Sequence, residues 1–330
     1  MKIFLAGASG AIGQPLIRQL NEHGHEVIGT TRSQAKAAEL RDLGARPVIL
    51  DALDRAAVIA AVAQAKPDAI IHQLTALSNI DFRHFEKSFA PTNRLRTQGT
   101  DNLLAAARGA GVKRVLTQSY AGHPYARTGG PVKTEDDPLD PAPAAQMRST
   151  IDAIKYLERA VLDFGGIVLR YGGFYGPGTG LARDGEQLEM IRTRRFPLVG
   201  EGRAVWSLVH VDDAAAATVA ALERARPAAI YNIVDDEPAR VGEVISYLAE
   251  VVGAKPPRHI PLWLARLLGE HMVVLMDEVR GASNAKARRE LGWEPVHGSW
   301  RDGFRELALA EPAAPARGVA APVRRRQQTR

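Results

Sequence analysis

The sequence contains no cysteine among its 330 residues. This absence excludes disulfide bonds, thiolate nucleophiles and cysteine-ligated metals, and it is compatible with a reducing cytoplasm, the location that we expect. Long hydrophobic runs are also missing, because charged and polar residues interrupt the longest apolar stretch, residues 260–276. We interpret that stretch as a buried or amphipathic helix, with an interfacial helix as the alternative, and we expect neither a signal peptide nor a membrane span.

Most of the net positive charge lies in the last residues of the chain. The net charge is +6, and residues 312–330 hold five arginines and no acid, so residues 1–311 carry about +1. This distribution argues against nucleic acid as a partner. Because the segment 312–330 is also rich in proline, glycine and alanine, we expect it to be a disordered basic tail, with an anchor for an acidic partner as the alternative.

A glycine motif directly follows the first apolar stretch. Residues 2–6 have the length of a strand, three glycines spaced three apart come next, and apolar residues then recur at helical spacing. This order is typical of a dinucleotide site, in which glycines let a pyrophosphate approach the backbone at a helix N-terminus. The alternative is a merely structural turn. The residues expected to bind the cofactor here are Gly7, Ser9, Gly10, Ala11, Ile12 and Gly13.

Apolar stretches of strand length alternate with helical stretches up to about residue 172. Further strands are predicted over 25–31, 46–50, 68–74, 114–119 and 166–172, with helices that include 54–65, 92–110 and 147–164. The pattern predicts an α/β fold with a doubly wound parallel sheet, a Rossmann fold, over residues 1–176. We expect a return strand near 229–235 and a smaller, mostly helical substrate-binding lobe over residues 177–311.

The end of the second predicted strand indicates which dinucleotide is bound. An acid at this position usually holds the ribose 2′-hydroxyl of NAD. Here the strand ends in Thr31 and Arg32, and the acid Glu26 lies at its opposite end. Because Arg32 and the neighbouring hydroxyls suit a 2′-phosphate, we predict NADP(H) as the cofactor. The alternative is that Arg32 is a solvated surface residue.

These motifs together resemble the extended short-chain dehydrogenases/reductases, the NAD(P)-dependent epimerase/dehydratase group. Further stretches that resemble motifs of this family occur at residues 51–53, 70–76, 99–104, 169–178, 210–213 and 291–295. The resemblance therefore covers about residues 1–310. It implies that Asp51 and Ala52 lie beside the adenine, and that Leu74, Thr75 and Ala76 lie beside the cofactor. It also suggests a homodimer formed through helices 92–110 and 147–164.

One catalytic feature of that family is missing from this chain. The resemblance implies a Tyr-x-x-x-Lys pair at the start of the helix after the fifth strand, which exchanges a proton with the substrate. The chain has Gln146 and Thr150 there, or Met147 and Ile151 if the alignment shifts by one residue. Neither alignment supplies an acid–base group or a positive charge. The chain therefore resembles the atypical members of the family.

Other residues near the fifth strand remain candidates for chemistry. Ser119 occupies the position of the family's oxyanion-stabilising serine, and the loop that follows holds Tyr120, His123 and Tyr125. Tyr125 is our first choice as proton donor and Tyr120 the second. The alternative is that these aromatic residues line the pocket or pack the loop.

The remaining histidines and acids are interpreted as structural. His72 is expected to be a core residue, and residues 210–213 are expected to be a strand end at which Asp212 caps the next helix. No cluster has the spacing of metal ligands, so we predict no metal site.

Three functions remain open. The first is an NADP(H)-dependent oxidoreductase that acts on a carbonyl or alcohol of a small organic substrate. The alternatives are an epimerase or dehydratase that uses the cofactor transiently, and a non-catalytic NADPH-binding sensor. Gly173 and Trp206 stand where the family often has an asparagine and an arginine that contact sugar nucleotides, which favours a flatter, less charged substrate.

Overall fold

The computed structural model describes residues 1–77 and 80–309. The expected basic tail, residues 312–330, lies outside the described residues. Within the described ranges, no helix is both long and apolar enough to cross a bilayer. The apolar stretch 260–276 forms two short helices followed by a π turn, and it is not one continuous helix.

A seven-stranded sheet forms the centre of the molecule, and every neighbouring pair in it is parallel. Its strands lie in the order β7-β6-β5-β4-β1-β2-β3. This confirms the predicted doubly wound parallel sheet, and the return strand expected near 229–235 pairs with β6 at one edge. The strands are β1 (Lys2–Ala6), β2 (Glu26–Thr31), β3 (Arg46–Ile49), β4 (Ala69–His72), β5 (Arg114–Tyr120), β6 (Ile167–Tyr171) and β7 (Ala229–Ile233).

Helices connect these strands and also form much of the C-terminal part of the chain. They are α1 (Gly13–Glu22), α2 (Gln34–Asp42), α3 (Arg55–Ala65), α4 (Phe85–Arg94), α5 (Thr100–Ala110), α6 (Arg148–Asp163), α7 (Glu186–Arg192), α8 (Val211–Arg224), α9 (Val241–Val251), α10 (Leu262–Leu268), α11 (Glu270–Val273), α12 (Ala285–Leu291) and α13 (Trp300–Leu309). Short 3-10 turns occupy Phe82–His84 and Ala145–Met147, and π turns occupy Leu95–Gly99 and Val274–Glu278. Two- and three-residue strands lie at Val132–Lys133, Gly173–Tyr175, Leu198–Val199, Val205–Trp206, Leu208–His210, Ala239–Arg240, His259–Ile260 and Gly281–Ala282.

Local capping explains several helix starts. The Asp54 carboxylate accepts the amide N–H of Ala57 at 3.0 Å and begins α3. At α8 the prediction of an Asp212 cap is wrong. The N-cap residue is His210, which lies two residues before Asp212 and whose Nδ1 accepts the amide N–H of Asp212 at 3.2 Å.

The helix predicted over 92–110 is not one regular helix. Helix α4 begins earlier, at Phe85, and the π turn Leu95–Gly99 separates it from α5. A π turn adds one residue to a helical turn and is often found at functional sites. The extra residue changes which side chains face the sheet, a change that the apolar periodicity alone does not reveal.

Three apolar cores position the candidate site. One packs α1 and α8 on one face of the sheet, and a second packs α3 and α5 on the other. The third lies mainly in the C-terminal part but includes Phe85, Phe89 and Met147, which belong to α4 and the turn before α6. The start of α6 is therefore held between the sheet and the C-terminal part, beside the carboxyl ends of β4 and β5. The division into domains near residue 176 stays a prediction.

Candidate active site

The glycine turn after β1 has the shape of a phosphate cradle. A Cβ on Gly7 would lie 2.6 Å from the carbonyl oxygen of Gln73, and one on Gly13 would lie 2.2 Å from that of Ala8. At Gly10 a Cβ would meet only the Gly7 carbonyl, at 3.4 Å, so this side of the turn is open. Helix α1 begins with neither a side-chain cap nor an acid in its first turn. Its amide groups therefore suit an anionic group, and the turn fits a pyrophosphate.

The carboxyl ends of β2 and β3 lie beside this turn. Ser9 Oγ donates to Thr31 Oγ1 at 3.2 Å, which joins the glycine turn to the end of β2. Arg32 follows on the surface, with no acid adjacent to it in the chain. Asp51 is exposed after β3, and its Oδ1 accepts the amide N–H of Leu53 at 3.0 Å. The positions of these residues agree with an adenosine site at this edge of the sheet.

The predicted cofactor residues after β4 and β3 line the same edge of the sheet. Leu74, Thr75 and Ala76 are half-buried, and the amide of Ala76 donates to Thr92 Oγ1 at 3.0 Å. Ala52 is buried, and its carbonyl accepts from the Asn102 amide at 2.9 Å. These residues therefore lie at the carboxyl ends of β3 and β4, on either side of the glycine turn after β1.

Ser119 is part of a buried ionic network. Its Oγ donates to Glu158 Oε1 at 2.6 Å, and the same carboxylate pairs with Arg170 through two bonds of 2.8 and 2.7 Å. The side chains of Glu158 and Arg170 are only 5% and 4% exposed. Because its proton is directed to a carboxylate within the protein, the hydroxyl of Ser119 is committed to this network in the absence of a ligand.

Tyr125 belongs to the far side of that network. Its hydroxyl donates to Asn232 Oδ1 at 2.7 Å and accepts from Arg170 at 2.9 Å, and the residue is 1% exposed. These partners lie on β6 and β7. Strand β6 pairs directly with β5, and Arg170 lies opposite Ser119 in that pair. Tyr125 is therefore near the end of β5, but its hydroxyl is already bonded to side chains of β6 and β7.

Tyr120 and His123 lie closer to the expected reaction centre. Their rings are 4.8 Å apart, and the His123 ring meets Phe85 edge-on at 6.1 Å. Burial raises the pKa of Tyr120 to about 12 and lowers the pKa of His123 to about 3. His123 Nε2 has no hydrogen-bond partner among the described residues. Both side chains are therefore neutral at pH 7, and both have capacity to hydrogen-bond a ligand.

A buried cation that sequence reasoning missed lies beside the start of α6. The Asn93 amide donates to Thr150 Oγ1 at 3.1 Å, and Arg96 donates to Asn93 Oδ1 at 3.4 Å. Arg96 is 7% exposed and lies in the π turn. The signal was present in the chain, because Phe85, Phe89, Thr92 and Arg96 recur at the four- and three-residue spacing of a buried helical face.

His210, Asp213 and His297 come together although they are distant in the chain. Their potential ligand atoms lie within 4.8 Å of one another. His210 Nδ1 accepts the N–H of Asp212, which places the ring proton on Nε2, and Asp213 Oδ2 pairs with His297 Nδ1 at 2.8 Å. Asp213 also accepts the amides of residues 296 and 297. We interpret the group as a clamp that fastens the loop before α13 to α8.

Trp206 and Arg203, at or near a position where the family often has an arginine that contacts sugar nucleotides, are bonded to other residues of this protein. Trp206 Nε1 donates to the carbonyl of Leu275 at 3.3 Å. Arg203, the nearest arginine in the chain, pairs with Asp277 at 2.7 Å. At Gly173 a Cβ would lie 3.0 Å from Leu208, so a larger side chain would require repacking.

An open parallel sheet with a phosphate cradle at its topological switch point defines the class of dinucleotide-dependent enzymes. Within that class, the chain belongs to the NAD dependent epimerase/dehydratase family, whose family model matches residues 3–234. The resemblance found from the motifs is thereby confirmed. The chain is an enzyme of the oxidoreductase or epimerase type, and the family depends on nicotinamide dinucleotides.

Three proteins illustrate the range of chemistry among similar chains. A "3-diazoavenalumate denitrifying reductase" from a Streptomyces species is 45% identical over 308 residues, 92% of this chain and 99% of that one. A "2-alkyl-3-oxoalkanoate reductase" from Stenotrophomonas maltophilia is 30% identical over 273 residues, 77% of this chain and 76% of that one. A solved dTDP-glucose 4,6-dehydratase from Streptomyces venezuelae, with NAD bound, superposes with a TM-score of 0.74 at 23% identity and covers 93% and 96% of the two chains. The last of these shows the fold alone.

Proposed function

We propose that the protein is an NADPH-dependent reductase of a small organic substrate. The observation that carries the proposal is the end of β2, where Arg32 and the Ser9–Thr31 hydroxyl pair stand in place of an acid. A 2′-phosphate needs cationic and hydroxyl donors, whereas a 2′-hydroxyl is held by a carboxylate. The two reductases similar to this chain favour net reduction over epimerisation or dehydration.

The bound cofactor would supply the hydride, and the residues of the chain would orient the acceptor and exclude water. The glycine turn and the start of α1 would hold its pyrophosphate. We propose Tyr120 as the donor to the acceptor group, in preference to Tyr125, whose hydroxyl already bonds Asn232 and Arg170. His123 would act as a neutral hydrogen-bond donor, because its low pKa keeps the imidazole uncharged at pH 7.

A carbonyl is the first candidate for the reduced group, and an aromatic diazo group is the second. The second is favoured by the 45% identical 3-diazoavenalumate denitrifying reductase, whose name specifies a diazo compound, and by the missing Tyr-x-x-x-Lys pair. Reduction of an aryl diazonium ion joins one hydride to the substrate and releases N₂, so its balance requires no proton. A site without a strong acid suits this reaction better than it suits ketone reduction.

Cofactor preference tests the proposal directly. We expect the wild type to bind NADPH more tightly than NADH, measured side by side by quenching of tryptophan fluorescence. Replacing Arg32 by Asp removes a charge-assisted contact and adds repulsion, so NADPH affinity should fall by about tenfold or more while NADH affinity is retained. An unchanged preference in this variant would contradict the role of Arg32.

Turnover then distinguishes the acceptor groups. A panel of aromatic ketones and a panel of aryl diazonium salts are each incubated with enzyme and NADPH, and loss of the 340 nm absorbance is followed. Release of N₂ with equimolar NADPH oxidation would support the diazo acceptor, and NADPH oxidation with ketones alone would support the carbonyl. Product formation without net NADPH oxidation would refute a reductase.

A further inference from the structure

The missing lysine leaves the start of α6 without a charge, yet a buried cation lies beside it. We propose that Arg96 replaces this lysine and supplies the positive charge at the nicotinamide end of the cleft. The proposal rests on the proposed function, because it assumes that a dinucleotide binds across the carboxyl ends of β1, β4 and β5.

Hydrogen bonds connect Arg96 to the vacant lysine position. The guanidinium donates to Asn93 Oδ1, and the amide of the same asparagine donates to Thr150 Oγ1, so two bonds of 3.4 and 3.1 Å separate Arg96 from Thr150. Thr150 is fully buried on α6. A cation from the π turn after α4 therefore approaches the position on α6 where the family's lysine would be attached.

No acidic side chain pairs directly with Arg96 among the described residues, so its positive charge is largely unneutralised. Glu158 is the acid that acts on it most strongly, but that carboxylate already pairs twice with Arg170. Among the described residues, no carboxylate lies within 4 Å of Arg96. Burial lowers the pKa of Arg96 to about 10, which still keeps it protonated at pH 7.

Two histidines show where the charge is directed. Burial lowers the pKa of both His72 and His123, and the charge of Arg96 lowers each further, although a hydrogen bond with the Leu95 backbone opposes this at His72. His72 ends β4 and His123 follows β5, so the guanidinium acts at the edge of the sheet where these two strands end. With both imidazoles neutral, Arg96 is the cation of this group.

A purely structural role explains the geometry less well. A buried guanidinium has five N–H donors to satisfy, and the described residues give Arg96 one bond of 3.4 Å. None of the Arg96 nitrogens is among the fully buried atoms that lack a partner, so its remaining donors reach solvent and can bond a ligand. Hydroxyl and phosphate oxygens of a dinucleotide are suitable acceptors.

The test compares an intact dinucleotide with its adenine half. Arg96→Gln, Arg96→Lys and the control Arg94→Gln are prepared. Arg94 is the last residue of α4, directly before the π turn, and is exposed. Affinities for NADPH and for adenosine 2′,5′-bisphosphate are measured by tryptophan quenching and calorimetry, with thermal melting to verify folding. We expect Arg96→Gln to weaken NADPH binding by about tenfold or more and to leave the bisphosphate unchanged, because charge-assisted bonds to the nicotinamide half are lost. Arg96→Lys should restore most of the affinity, and Arg94→Gln should have no effect.

Two results would overturn the role of Arg96. The first is unchanged NADPH affinity in a folded Arg96→Gln variant. The second is an equal loss of affinity for both ligands, which would indicate a general structural effect. If the wild type prefers NADH, the proposed cofactor is wrong, and the same comparison with NADH and ADP then decides the role of Arg96 separately.

Discussion

Asp235 gives a prediction about stability that can be worked out from its surroundings. It follows β7, is 1% exposed, and its Oδ2 has no hydrogen-bond partner among the described residues. Burial raises its pKa from 3.8 to about 9, and Asp236 and Asp213 add to the effect. At pH 7 the folded protein therefore holds this proton, whereas the unfolded chain has released it.

The direction of the pH effect follows from this difference. Between pH 4 and 9 the unfolded state gains stability by ionising Asp235 and the folded state does not, so the free energy of unfolding falls as pH rises. At pH 7 the pH lies about 3 units above the pKa of Asp235 in the unfolded chain, so ionisation of this residue stabilises the unfolded state by at most about 4 kcal/mol. The Asp235→Asn variant has no carboxyl group to ionise in the unfolded state. Its gain in free energy of unfolding over the wild type should therefore be small at pH 4, larger at pH 7 and constant above pH 9.

Urea unfolding at pH 4.5, 7 and 9, followed by circular dichroism, measures the effect. The matched control is Asp163→Asn, at the end of α6, where the carboxylate is 70% exposed. Its effect on unfolding should not grow with pH. The reasoning would be refuted if Asp235→Asn changed the free energy of unfolding by the same amount at all three pH values, or lowered it at pH 9.

The Glu158–Arg170 pair and the two tyrosines give the remaining predictions. Glu158→Gln and Arg170→Met should each lower the free energy of unfolding, measured in urea, by about 3–5 kcal/mol, because a buried charge loses its partner. The double variant should lower it by less than the sum of the two single effects. Additive effects would contradict this prediction. Tyr120→Phe should lower kcat and leave NADPH affinity unchanged, whereas Tyr125→Phe should lower the unfolding free energy by about 1 kcal/mol and leave kcat nearly unchanged. The opposite pattern in steady-state kinetics would return the catalytic role to Tyr125.

The sheet and the phosphate cradle could be predicted because their signals are local. The strand of residues 2–6, the three glycines and the helix after them occupy adjacent positions, so sequence order and spatial order agree. The same holds for the Asp54 cap of α3, which bonds an amide three residues away. Parallel topology then follows from the alternation of strands and helices.

The environment of each candidate side chain could not be predicted because it depends on distant residues. Ser119 was placed correctly in the chain, but its partner Glu158 lies 39 residues later on a helix whose rotation the periodicity does not fix. The Asp213–His297 contact joins residues 84 apart. Tyr120 and Tyr125 differ in their bonding because the loop turns toward β6 and β7, and no local pattern encodes that turn.

The π turn between α4 and α5 has a consequence for how such a site can arise. Inserting one residue into a helix rotates everything beyond it by about 100° unless the extra residue is absorbed as a bulge. Here the bulge at Leu95–Gly99 absorbs it, so α5 keeps its apolar face against the sheet. A single insertion can thus redirect a side chain such as Arg96 without disturbing the core.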